Sequence, residues 1–225
     1  MPGSNSNKTT LGRRFDAALV ARHLKHSDSG REELRGQKVN HILSVAASLF
    51  ASEGLAGVSM RRVAADAGVT LSTLQHYFGN RQNLVELTIN SLLDTYIADF
   101  TAISRDTAAP ATDRFSKVMD ELLGTVDSPV IEAFYVHLWA AAAQDAVILE
   151  HIREAYAGYF EALASIVGQM RPDWSVERVT STALAIGTQI DGLLVTRLIA
   201  PPTMPPWGAV VSSIKGFWLD SILRG

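Results

Sequence analysis

From residue 36 onward the apolar positions recur with a helical period. Val39, Ile42, Leu43, Ala46, Ala47, Leu49 and Phe50 form one stripe, which ends at Glu53-Gly54. Ser59 is placed to cap a second, shorter helix, in which Met60, Val63, Ala64 and Ala67 follow the i, i+3, i+4, i+7 pattern. Gly68 stops it. Thr70 is placed to cap a third helix, which runs to about Phe78 with Leu74 and Phe78 inward. Longer helices are expected at about 83–104, 111–126, 129–146, 148–170, 174–199 and 206–223. Ser128-Pro129 is a start signal, a cap followed by proline in the first helical position. Pro172 and the run APPTMPPW at 200–207 are breaks that no helix crosses. Strand signals are nearly absent and no repeat at a fixed period is visible. The pattern predicts an all-α chain, with a three-helix head and a larger body of about six helices.

Three domains are expected: an extension over 1–34, a head over 35–82 and a body over 83–225. The extension is rich in Ser, Asn, Gly and scattered charge, and reads as disordered and basic. Within it, FDAALVARHL (15–24) could make a short helix. Arg13, Arg14, Arg22 and Lys25 either add loose phosphate contacts or belong to an inert tail.

The head's second and third helices are too short to be stable alone, because nucleation is costly. They must lean on the first. Ala67 is small enough to let them cross closely, Gly68 supplies the tight turn, and Val69 plugs the wedge. That is the helix-turn-helix arrangement, which presents the outer face of its second helix to a DNA major groove. At 100° per residue, Ser72, Thr73 and His76 point most directly away from the Leu74/Phe78 side, with Gln75 and Tyr77 flanking them. A core helix would not carry that face.

Within this stretch, GLAGVSMRRVAADAGVTLSTLQHYFGNRQNLVEL closely resembles the DNA-binding head of the TetR (tetracycline-repressor) family of bacterial regulators. The matching residues run from about Lys38 to Leu87. They carry LF at 49–50, EG at 53–54, S-x-x-x-V-A-x-x-A-G-V-T at 59–70, T-L-x-x-Y-F at 73–78, and Arg81. The resemblance implies that Ser72 and His76 meet bases, and that Thr73, Gln75, Tyr77 and Arg81 meet phosphates. Thr70, at the helix start, could bind a phosphate beside the free N–H groups of the first turn. Arg61 and Arg62 are expected as phosphate clamps, with ordinary surface charge as the alternative. Three residues depart from the family's pattern. Gln75 replaces a commonly aromatic residue and could read adenine. Ser72 replaces a frequent glycine. Leu71 stands where relatives are usually polar, and is either core or a contact to a thymine methyl.

Charge sharpens this picture. Residues 1–82 carry eleven Lys/Arg against six Asp/Glu, and residues 83–225 nine against seventeen, inside a net charge of -3. A basic front on an acidic body implies that the front alone meets a polyanion. There are no cysteines, which excludes disulfides and thiolate chemistry. No apolar run reaches the roughly 18 residues of a membrane span. A cytoplasmic location without membrane contact is the expectation.

The body resembles the family only in architecture, which implies an effector site and a homodimer. Ala183, Gly187, Ile190 and Leu194 form one stripe, and Val210, Ile214, Phe217 and Trp218 another. Two such helices from each subunit would make a four-helix bundle. Tyr96 with Phe100, Tyr135 with Trp139, and Tyr156 with Phe160 share helical faces, and each pair is either core or pocket wall. His137 and Gln189 could orient a ligand or be satisfied core groups. Asp191 is a carboxylate in an apolar stripe and needs a partner on another element or another subunit, since Arg197 lies off its face.

Nothing points to catalysis, and neither a metal nor a cofactor is expected. His41, His76, His137 and His151 are scattered, Asp120 and Glu121 lie on different sides of a helix, and no phosphate loop or nucleophile elbow is present. The expected function is a ligand-responsive regulator, a repressor, that binds a palindromic operator as a homodimer and is released by a small-molecule effector. A helical small-molecule-binding protein with weak or lost DNA binding is the alternative.

Overall fold

The computed structural model describes residues 30–126, 129–201 and 203–225, and all their side chains except those of 30–35, 95, 96, 125, 126, 129 and 130. Residues 1–29, with Arg13, Arg14, Arg22 and Lys25, as well as Ser128 and the side chain of Tyr96, lie outside the described residues, whereas 30–34, expected as disordered extension, are helical. Those residues form nine helices and no strand: α1 (Gly30–Gly57), α2 (Met60–Asp66), α3 (Leu71–Phe78), α4 (Arg81–Arg105), α5 (Ala111–Val126), α6 (Pro129–Ala142), α7 (Ala146–Met170), α8 (Val176–Ile199) and α9 (Trp207–Arg224). This is the expected all-α count, three head helices, of which the second and third are short, and six in the body.

The chain divides into two compact units. One comprises 1–95 with 128–149, the other 96–127 with 150–225.

In the first unit α1 carries the core residues Ile42, Ala46 and Phe50 and packs along α6. Phe50 meets the edge of Phe134 at 5.5 Å. The helix bends at Gly54, where φ is 65° and ψ is -156°, a conformation open in practice only to glycine. A β-carbon there would stand 2.7 Å from Nδ1 of His137. The imidazole therefore fills the space that a side chain would take. Beyond α6 the chain turns at Ala143–Asp145, earlier than the expected end near residue 146. Asp145 then caps α7 by accepting from Val147 N at 2.9 Å.

In the second unit α5 packs against α8 and α9. Arg114, almost fully buried, ties the loop before α5 to α7. Its Nε donates to Ala109 O at 3.1 Å, one terminal nitrogen to Ser104 O, and the other to Gln169 Oε1 at 2.6 Å. The corner between α7 and α8 holds the end of α9. There Arg171 donates to Ile222 O at 2.8 Å and Arg178 to Gly225 O at 3.0 Å, and both guanidinium groups flank the Trp174 ring. Hydrogen bonds from Arg171 also hold the Asp173 carboxyl down to about 2.

By length and composition α8 is the one helix among those described that is apolar enough to cross a membrane. On it Ala183, Ile186, Ile190, Leu193 and Leu194 are buried within their own unit.

Candidate nucleic-acid interface

The capping positions read from the sequence are the ones observed. Ser59 accepts from Arg62 N and opens α2, in which Val63 and Ala64 are buried. Val69 N returns to Ala64 O at 2.9 Å, closing the turn. Gly68 has φ 65°, and nothing lies within 4 Å of where a β-carbon would be. Its requirement is therefore one of backbone angle and not of space. Thr70 then caps α3: its Oγ1 accepts from Thr73 N at 3.1 Å and lies 3.0 Å from Ser72 Oγ and 2.8 Å from Thr73 Oγ1.

The eight residues of α3 divide by exposure. Leu74 is fully buried and Phe78 nearly so, which anchors one side. Ser72, Gln75 and His76 are exposed, as is the capping Thr70, whereas Leu71, Thr73 and Tyr77 are half-buried. The rings of His76 and Tyr77 meet edge to face at 5.4 Å. Gly79, with φ 72°, ends the helix by donating from its N–H to Gln75 O at 2.8 Å. Asn80 Oδ1 then accepts from Asn83 N at 3.0 Å and starts α4.

The basic residues around this face are less alike than the sequence suggests. Arg61 stands exposed. Arg62 is engaged by two parallel bonds to Glu53, each 2.6 Å, with Asp66 at 3.8 Å. Those hydrogen bonds hold the Glu53 carboxyl below, and the Arg62 guanidinium above, its ordinary range. Arg81 turns back into its own unit, with Nε donating to Val58 O at 2.6 Å and a terminal nitrogen to Leu55 O. Arg62 and Arg81, both expected on phosphates, are engaged within the chain. Each has a protein acceptor that binds it in a fixed geometry. The EG pair at 53–54 was visible in the sequence, but its two tasks were not: Glu53 holds Arg62, and Gly54 admits His137.

Gln82 donates to Asp145 Oδ2 at 3.1 Å and to Glu86 Oε1 at 2.9 Å. Together with His137 against Gly54, this fastens the helix-turn-helix to α6 and its following turn within one unit.

The candidate ligand residues fall in both units. Tyr135, His137 and Trp139 belong to the first, where Tyr135 lies at 5.8 Å from Trp139 and His137 is spent on Gly54 and Phe50. Phe100, Tyr156 and Gln189 belong to the second. There Phe100 is core, Tyr156 packs on Phe160 at 5.8 Å, and Gln189 Oε1 accepts from Trp218 Nε1.

The dimer stripe also needs correction on α8. Ala183, Gly187, Ile190 and Leu194 face the interior of their own unit, and a β-carbon at Gly187 would lie 2.5 Å from Phe160 Cε1. The large apolar residues left open on α8 are Val176, Leu184, Val195, Leu198 and Ile199. On α9 Phe217 is exposed, whereas Val210, Ile214 and Trp218 are half-buried.

A capped helix with a buried apolar side and an exposed polar one, set off by a glycine turn from a second short helix, defines a helix-turn-helix DNA-binding protein. Residues 42–88 match the model of the bacterial regulatory proteins of the tetR family. The head is thus that of the tetR-family bacterial regulators, and the chain as a whole is similar to transcriptional regulators. It is 29% identical over 158 residues to the regulator BetI of Rhizobium meliloti, covering 68% of this chain and 74% of that one. To the repressor KstR2 of Mycobacterium tuberculosis it is 32% identical over 69 residues, 31% of this chain and 34% of the relative. A solved transcriptional regulator from Pseudomonas aeruginosa superposes with a TM-score of 0.71 at 18% identity, over 91% of this chain and 96% of that one.

Proposed function

We propose that this regulator is a cytoplasmic, ligand-responsive repressor that binds a near-palindromic operator as a homodimer and leaves it when a small molecule occupies the body. The observation that carries the reading is the polar face of α3, with Ser72, Gln75 and His76 outward over buried Leu74 and Phe78. Ser72 and His76 are the base readers. Arg61, Thr70, Thr73, Gln75 and Tyr77 contact or border the phosphates, and Arg62 and Arg81 hold the head in shape. Leu71 is half-buried, so its outer edge remains available to a thymine methyl. The working division keeps a head at 35–82 and a body at 83–225.

Two recognition helices enter successive major grooves about 34–36 Å apart. The open apolar face of α8 with Phe217 of α9 is the dimer surface, because the buried stripe is already used. Effector binding shifts the population toward an arrangement whose heads no longer match the half-site spacing, by a coupling of about 1–3 kcal/mol. The contacts His137–Gly54 and Gln82–Asp145 support this, since they join α6 and the turn after it to both flanks of the helix-turn-helix.

The test is a fluorescence-anisotropy titration of DNA from upstream of its own gene against scrambled DNA of equal composition, at fixed salt. Preference for the upstream DNA by about 10³ or more is expected. Equal affinity for both would leave a helical binding protein without operator function.

A further inference from the structure

Asp191 is the one ionisable side chain in the stretch 183–195 of α8. It is half-buried, and among the described residues its partner is the phenol of Tyr156 on α7, which donates to the carboxylate. No ion pair joins it to a described lysine, arginine or histidine. Burial pushes its carboxyl up to about 6, against the opposite pull of that hydrogen bond. At neutral pH the group is therefore charged but under-compensated.

That phenol belongs to an aromatic cluster. The Tyr156 ring lies 6.1 Å from Tyr159 and 5.8 Å from Phe160, and those two lie 5.1 Å from each other. One turn before Asp191, Gly187 lets both rings lie on the α8 backbone, since any β-carbon there would collide with them. Tyr156 and Phe160 remain half-exposed, so part of each ring and the carboxylate edge stay within reach of solvent. A cation gains from both partners at once: it restores the charge compensation that Asp191 lost on burial, and aromatic faces attract it within about 6 Å. A neutral apolar molecule gains only from the rings, and an anion is repelled.

We propose that Asp191 and Tyr156, with the rings of Tyr159 and Phe160 beside them, form a binding subsite for a small organic ammonium ion. As the subsite lies in the body, its use by the effector rests on the ligand-responsive reading above.

The test is thermal unfolding of the full chain with benzyltrimethylammonium chloride, benzyl alcohol or sodium chloride at matched concentration. The wild type is expected to melt about 5 °C higher at saturating ammonium, and to respond to neither control. Asp191→Asn should lose that rise while melting, ligand-free, at least as high as the wild type, because the amide carries no buried charge. Tyr156→Phe should keep the response, because the carboxylate remains. A rise of equal size with benzyl alcohol, or one that persists in Asp191→Asn, overturns the proposal. So does an Asp191→Asn protein whose only change, by sedimentation, is in its self-association, since the carboxylate would then meet a second copy. Operator release in the same titration is a separate reading. Ammonium binding that leaves operator affinity unaltered keeps the subsite and removes its role as effector site.

Discussion

The imidazole of His137 on α6 closes over the backbone of Gly54, so that a β-carbon there would meet its Nδ1 at 2.7 Å. The bend at the end of α1 and the side chain that fills it form a single packing unit. Gly54→Ala is expected to cost about 2–4 kcal/mol, from the backbone angle and the collision together. Gly68→Ala, where the backbone angle is also positive but space is open, should cost about 1–2 kcal/mol. In a His137→Ala background the Gly54 cost should shrink by about 1 kcal/mol and the Gly68 cost stay the same. Urea unfolding of the six proteins checks this.

Arg61 and Arg62 are neighbours with different expected readouts. Arg61→Ala should weaken binding to every DNA sequence and lower the salt slope by about one. Arg62→Ala should leave the slope unchanged and lower the melting temperature, because its guanidinium is held by Glu53. A salt titration of operator binding separates them, and an equal loss of slope in both would place Arg62 on the phosphates.

Leu194 and Val195 are adjacent on α8, about 100° apart around its axis, one buried and one open. Leu194→Ala should cost about 2–5 kcal/mol of stability and leave the oligomeric state alone. Val195→Glu should give a folded monomer. Light scattering with size exclusion reads the second effect, and a dimeric Val195→Glu would move the interface elsewhere.

Asp191 sets a pH dependence whose sign follows from its raised value of about 6. The folded state holds this proton more tightly than the unfolded chain does. Stability from the group is therefore full below about pH 4 and lost as pH rises through about 6. Asp191→Asn should gain on the wild type across that window, by roughly 1–3 kcal/mol after allowance for its partial exposure. Denaturant unfolding at a series of pH values measures the difference, which should be flat above about pH 7.

Local rules made the head legible. Caps at Ser59 and Thr70 and the turn at Gly68 depend on neighbours within a few residues, so their placement could be read directly. The exposure of Ser72 and His76 follows from the same periodicity. The body was legible as helices but not as faces. On α8 both sides are apolar, and its packing on α5 and on the rings of Tyr159 and Phe160 decides which one is inside. Arg62 and Arg81 illustrate the same limit: their acceptors lie nine or more residues away, beyond any motif spacing. Arg114 gave no signal, because a buried guanidinium satisfied by carbonyls looks like surface charge in a sequence.

The central claim, that α3 reads a two-fold operator, is tested most directly by selecting binding sites from randomised duplex DNA with the wild type and with His76→Ala. The account predicts a near-palindrome whose half-sites are about one helical turn apart, and a changed base preference at one position of each half-site in the variant. Selection without enrichment, or the same site chosen by both proteins, would contradict it.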